Sequence, residues 1–150
     1  MKSIYLDHAA TTPTDKEILE KMLPYYGAEY GNPSSIYGSG RKAHTVIENA
    51  RANVADILGA KSEEIIFTGS GTESDNLAIL GVANAYLKWE VGNEKLDNEV
   101  GSGKSLHLIT TQIEHHGVLD TFKYLEKSGF NVSYLPVDKD GLIQVSDIEK

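Results

Sequence analysis

Between residues 65 and 137 the chain alternates twice between short apolar runs and segments of helical period, and this alternation most narrows its fold. Ile65-Ile66-Phe67, Leu106 to Thr111 and Asn131 to Val137 are expected strands. Residues 73–89 and 116–128 are expected helices, with Leu77, Leu80 and Leu87 as core positions of the first. Strand, helix, strand, helix, strand implies an α/β arrangement, a mainly parallel sheet with helical crossovers.

The first 64 residues read differently. Residues 1–13 form an extended arm ending at Thr11-Thr12-Pro13. Thr14 stands three residues before Glu17, the spacing of a capping box, and Ile18, Leu19, Met22 and Leu23 follow at helical spacing. Residues 27–40 are a loop rich in Gly, Ser, Asn and Pro. A longer helix is expected over 41–58, with Ala43, Ile47, Ala50, Val54 and Ile57 on one face and Gly59 as its stop. Glu90, Asn93, Glu94, Asp97 and Asn98 mark 89–105 as a polar surface excursion, and Ser146 onward opens another helix.

Composition excludes several classes of function. Net charge is −8, and only two of the fourteen basic residues are arginines, so a nucleic-acid backbone is not an expected partner. No apolar run is long enough for a membrane span, and the N-terminus lacks a signal-peptide core, which points to the cytoplasm. The chain has no cysteine, which rules out disulfides, thiolate metal sites and a cysteine nucleophile within it. No metal site is expected.

Two segments carry chemistry. In Phe67-Thr68-Gly69-Ser70-Gly71-Thr72-Glu73-Ser74 a glycine-rich turn joins a strand to a helix. Glycines let backbone N–H groups approach a ligand, and a helix start offers free donors and a positive dipole end to a phosphate. An empty turn with Ser/Thr capping fits these residues equally well. Glu73 and Asp75 suit a helix start but would repel a phosphate they faced. The nucleotide-triphosphate loop lacks its lysine here, and Ser74 stands where the dinucleotide fingerprint needs a glycine. The second segment, Glu114-His115-His116, follows a strand and opens a helix. An imidazole there could stack on an aromatic cofactor and move protons, although local pattern alone favours plain helix-start residues. His8, His44 and His107 have weaker claims.

Taken together, four motifs resemble the cysteine desulfurases of the class V aminotransferase group. They are Tyr5-Leu6-Asp7-His8-Ala9-Ala10-Thr11-Thr12-Pro13, Gly31-Asn32-Pro33-Ser34-Ser35, Phe67 to Ile79, and Glu114-His115 with Val118-Leu119-Asp120. The resemblance implies a fold type I enzyme dependent on pyridoxal 5′-phosphate, converting L-cysteine to L-alanine and leaving a persulfide for iron–sulfur cluster assembly. It implies that Gly71 and Thr72 hold the cofactor phosphate, and that His115 stacks over the pyridine ring and assists proton transfer. His116 receives no role. Residues 14–150 would then be the N-terminal part of the large domain, behind the arm at 1–13. A related class V aminotransferase, a selenocysteine lyase, or a noncatalytic remnant serving as an interaction module stays open as an alternative.

Three departures accompany the resemblance. The 89–105 excursion is longer than the family's turn, and Gly69-Ser70 inverts the commoner Ser-Gly order. The family's covalent lysine, pyridine-nitrogen aspartate, substrate-carboxylate arginine and persulfide cysteine fall beyond residue 150. The expectation is a chain inactive alone, with weak, reversible cofactor binding. Unpaired strand edges and bare apolar faces imply a complementary C-terminal chain or self-association.

Overall fold

The computed structural model describes residues 4–93 and 106–148, the side chains of 89–93 excepted. The chain divides into two compact units, Met1–Ile66 and Phe67–Lys150.

In the first unit the arm leads into α1 (Lys16–Met22). Its cap is Asp15 rather than the expected Thr14: the Asp15 carboxylate accepts from the N–H groups of Glu17 at 2.8 Å and Ile18 at 3.4 Å. A carboxylate both satisfies those donors and suits the positive end of the helix dipole. Pro24 turns the chain into a 3₁₀ turn over Leu23–Tyr26. α2 (Gly38–Leu58) starts three residues earlier than expected. Gly40 explains this, because its backbone lies against the carbonyls of Asn32 and Ser35 where a Cβ would collide. The loop thus seats the helix start directly. At the other end Gly59 adopts the left-handed conformation at φ 65°, and Ala60 N–H reaches back to Ala55 carbonyl at 2.8 Å, so the expected stop is observed.

The expected face of α2 is only half covered. Ala43 and Ile47 are partly buried, whereas Ile57 is 82% exposed and Ala55 is the buried residue of the last turns. Residues 65–67 form no strand, contrary to expectation. An isolated extended segment has no ladder to join, and no neighbouring strand stands beside it among the described residues.

The second unit is an α/β layer. α3 (Gly71–Asn93), β1 (His107–Thr111), α4 (His116–Lys127), β2 (Asn131–Leu135) and α5 (Val145–Ile148) follow in order. β1 and β2 pair in parallel, from His107 opposite Asn131 to Thr111 opposite Leu135, with α4 making the connection. β2 ends two residues short of Val137 because its partner strand stops at Thr111. Ala83, Leu125 and Phe130 form a core cluster, with Ile79, Leu80, Leu87, Leu106, Leu108 and Val132 packed against it, and Phe122 and Leu135 are buried as well. Leu77, an expected core residue, is 48% exposed; Ala83, with 0%, holds the inward face instead. A small residue there lets α3 and α4 close on one another, which a larger side chain would prevent.

α3 begins at Gly71, so Gly71 and Thr72 belong to its first turn rather than to the turn before it. The excursion expected over 89–105 is helical to Asn93, and residues 94–105 lie outside the described residues. No described helix is long and apolar enough to cross a membrane.

Candidate functional site

The start of α3 is organised by Ser70 and Glu73. Ser70 Oγ accepts the Glu73 N–H at 3.2 Å, and Ser70 carbonyl accepts the Ser74 N–H at 3.1 Å. The Glu73 carboxylate in turn accepts the Gly69 N–H at 2.7 Å. A Cβ on residue 69 would lie 3.2 Å from that carboxylate oxygen. The Gly69-Ser70 order therefore has a local reason: serine stands where a cap hydroxyl works, and glycine stands where the carboxylate needs room. Thr68 Oγ1 adds a 2.6 Å bond to Ser74 Oγ.

This network leaves two donors over. Helix geometry gives the first N–H groups no partner within the helix. Those of Glu73 and Ser74 are taken by Ser70, while those of Gly71 and Thr72 meet no acceptor among the described residues. A Cβ built on Gly71 meets nothing within 4 Å. Of the two acidic residues that could oppose an anion here, Glu73 and Asp75, Glu73 has its carboxylate engaged by the Gly69 N–H.

His115 is the N-cap of α4. Its Nδ1 accepts the Gly117 N–H at 3.0 Å. A nitrogen that accepts carries no proton, so the neutral ring holds its proton on Nε2. Thr72 and His115 line one cleft of about 560 Å³, together with Asn76, Leu80, Thr121 and Tyr124. Gly71 precedes Thr72 but does not itself line the cleft. Gly117 lies between these two side chains: a Cβ there would sit 3.1 Å from Thr72 Oγ1 and 3.2 Å from His115 Nδ1. The three expected site residues thus come to neighbouring helix starts in one unit. His116 also lines the cleft, its ring edge-on to His115 with centroids 6.4 Å apart. His107 is engaged instead across the sheet with Ser133 Oγ at 2.8 Å, and the His8 ring lies edge-on to Tyr5.

Lys123, hydrogen-bonded to Asp120 at 3.0 Å, holds the Asp120 carboxyl below its ordinary value by that bond and by its charge. Partial burial, reinforced by the Glu126 carboxylate, pushes the Tyr134 phenol upward. Among the described residues no cluster of histidine, cysteine and acidic side chains could hold a metal ion.

Sequence reasoning missed Asn76, Gly117 and Thr121. The signal was present: Asn76, Leu80, Ala83 and Leu87 follow one helical face, and so do Gly117, Thr121 and Leu125. A polar residue within each apolar stripe marks a place where a hydrogen bond replaces packing.

Residues 4–150 match the family model "Aminotransferase class-V". The chain is 47% identical over 149 residues to "Cysteine desulfurase IscS" of Dictyoglomus turgidum, covering 99% of this chain and 34% of that protein. It is 44% identical to "Putative cysteine desulfurase IscS 1" of Bacillus subtilis, covering 100% of this chain and 36% of the relative. Among solved structures, a "NifS-like protein" superposes with a TM-score of 0.82 at 39% identity, over 97% of this chain and 36% of that one. "SspA in complex with cysteine" superposes at 0.80 and 40% identity, over 98% of this chain and 38% of that one. The chain spans about a third of the length of these relatives.

Proposed function

The chain belongs to the aminotransferase class-V family, and from that premise we propose that it forms the phosphate-holding and ring-covering part of a pyridoxal-phosphate-dependent cysteine desulfurase. The carrying observation is that the unpaired amides at the start of α3 and the pinned imidazole of His115 lie on neighbouring helix starts, with Thr72 and His115 lining one cleft. Its volume falls within the roughly 300–1,000 Å³ typical of small-molecule sites.

The residues suit the cofactor's chemistry. Gly71 and Thr72 offer two N–H donors, a hydroxyl and a positive helix end to a phosphate, with no side chain on Gly71 to obstruct it. His115 would cover the pyridine ring and would have Nε2 free to exchange protons, since Nδ1 is committed to the Gly117 amide. When bound, pyridoxal phosphate supplies the electron sink for bond cleavage at the amino-acid substrate. In this reading the substrate is L-cysteine, the product L-alanine, and the sulfur leaves on an enzyme cysteine for iron–sulfur cluster assembly in the cytoplasm. Residues 14–150 contribute to the large domain and 1–13 to an arm. The covalent lysine and the persulfide cysteine come from the remainder that the relatives possess, as further sequence or as a complementary chain, and the bare faces of α2 and α3 fit such a cover.

The test is L-alanine formation from L-cysteine by the complete protein, with the persulfide sulfur read as sulfide after reduction by an added dithiol. Thr72→Val should weaken cofactor retention, and His115→Gln should slow turnover while the cofactor stays bound. Turnover undiminished in both variants would remove Thr72 and His115 from the site.

A further inference from the structure

The carboxamide of Asn76 joins the two helix starts that frame the cleft. Asn76 lies seven residues before Ala83, on the inward face of α3. Its Nδ2 donates to the carbonyl of Thr72 at 2.8 Å and, across to α4, to the carbonyl of Gly117 at 3.3 Å. Its Oδ1 accepts from Thr121 Oγ1 at 2.7 Å. Thr121 Oγ1 also lies 2.8 Å from the Gly117 carbonyl, and its single hydrogen is shared between the two acceptors. The reversed carboxamide would set Oδ1 against two carbonyl oxygens, so its orientation is determined.

We propose that Asn76, oriented by the buried Thr121, is a positioning residue that fixes the separation between the Thr72 phosphate cradle and the His115 ring. The inference rests on the reading of this cleft as a pyridoxal-phosphate site. The two residues whose carbonyls Asn76 grips belong one to each half of that site. Thr72 carries the hydroxyl of the cradle, and Gly117 carries the N–H that pins His115 Nδ1. Farther along, α3 and α4 are held by Ala83 and Leu125 through apolar packing, which tolerates sliding. Hydrogen bonds are directional and of nearly fixed length, so a carboxamide between the two starts sets a distance as well as joining them. Because Gly117 has no Cβ, the starts can approach this closely.

The experiment compares Asn76→Ala, Thr121→Val and Thr121→Ser with the parent in the complete protein. Two ligands are titrated: inorganic phosphate, which needs only the cradle, and pyridoxine 5′-phosphate, which needs cradle and ring but cannot bond covalently to a lysine. Separately, ¹⁵N signals of the His115 ring are recorded without ligand. The parent should show Nε2 protonated and Nδ1 bare. In Asn76→Ala and Thr121→Val the two nitrogens should move towards averaged signals, with Thr121→Ser retaining the parent pattern. Pyridoxine 5′-phosphate should bind about tenfold more weakly to Asn76→Ala, the size of one lost hydrogen bond, while inorganic phosphate changes by less than about twofold. Equal losses for both ligands would reduce Asn76 to a general structural tie, and unchanged ring signals and affinities would overturn the proposal outright. Should Asn76→Ala fail to fold, the Thr121 pair decides by the same readouts. A parent protein that takes neither ligand would sink the functional reading, and the ligand-free ring signals would then decide the positioning role.

Discussion

A single methyl group at residue 117 is expected to separate the cradle from the ring without unfolding the protein. In Gly117→Ala the new Cβ would lie 3.1 Å from Thr72 Oγ1, 3.2 Å from Thr72 Cγ2 and 3.2 Å from His115 Nδ1. Comfortable separations for such atoms are about 3.5–4.0 Å, so each neighbour must retreat by several tenths of an ångström. Crowding of this kind costs about 1–3 kcal/mol, and replacing glycine with alanine within a helix returns up to about 1 kcal/mol. The net loss of stability is then roughly 0–3 kcal/mol, readable as a shift in urea unfolding. Affinity should fall further, because the methyl displaces the Thr72 hydroxyl and strains the bond from Gly117 N–H to His115 Nδ1. Losing about 1–2 kcal/mol of binding contacts means about a five- to thirtyfold weaker complex with pyridoxine 5′-phosphate, measured by calorimetry. A folded variant with the parent's affinity would refute the reasoning, since Thr72 and His115 would then not act on one ligand.

Other outcomes follow from the same geometry. Leu125, 2% exposed and packed with Ala83 and Phe130, should cost about 2–5 kcal/mol when changed to alanine, and a loss below about 1 kcal/mol on chemical denaturation would contradict that packing. Glu73→Gln keeps an acceptor for the Gly69 N–H but removes a charge near the cradle; inorganic phosphate should bind about threefold tighter at low salt, with the gain shrinking as salt is added. Asp120 is held below its ordinary value by Lys123, so the pair stabilises the fold above the unfolded carboxyl's midpoint and loses that contribution as pH falls through the lower folded midpoint. Both groups are exposed and the contribution is small, but Lys123→Met should raise the Asp120 midpoint in an NMR titration, and an unmoved midpoint would exclude Lys123 as the cause.

Local chemistry was legible in the residues themselves. Gly59 stops α2 because a left-handed residue without Cβ is the cheapest way to end a helix, and no distant contact is needed to know it. The strands around 107–111 and 131–135, and the helix between them, follow from apolar period and β-branched content over a few residues. The motif segments put Gly71 and Thr72 in a turn just before a helix and His115 at a helix start, because glycine turns and chain reversals are written locally; the structure carries α3 back to Gly71.

Tertiary structure decided what needs a partner. Residues 65–67 have strand-like composition, yet a strand exists only where a second backbone runs beside it. Leu77 lies exposed and Ala83 is buried because the rotation of α3 is set by how closely it meets α4, and bulk alone does not indicate which face turns inward. His115 could have presented either nitrogen to the cleft until the Gly117 amide engaged Nδ1. Asn76 reaches Gly117 across 41 positions and Thr121 across 45, and no local pattern encodes such pairings. The sequence determined by itself which groups could donate and accept; the packing of α3 against α4 determined which of them meet, because a hydrogen bond forms only over a few tenths of an ångström in separation.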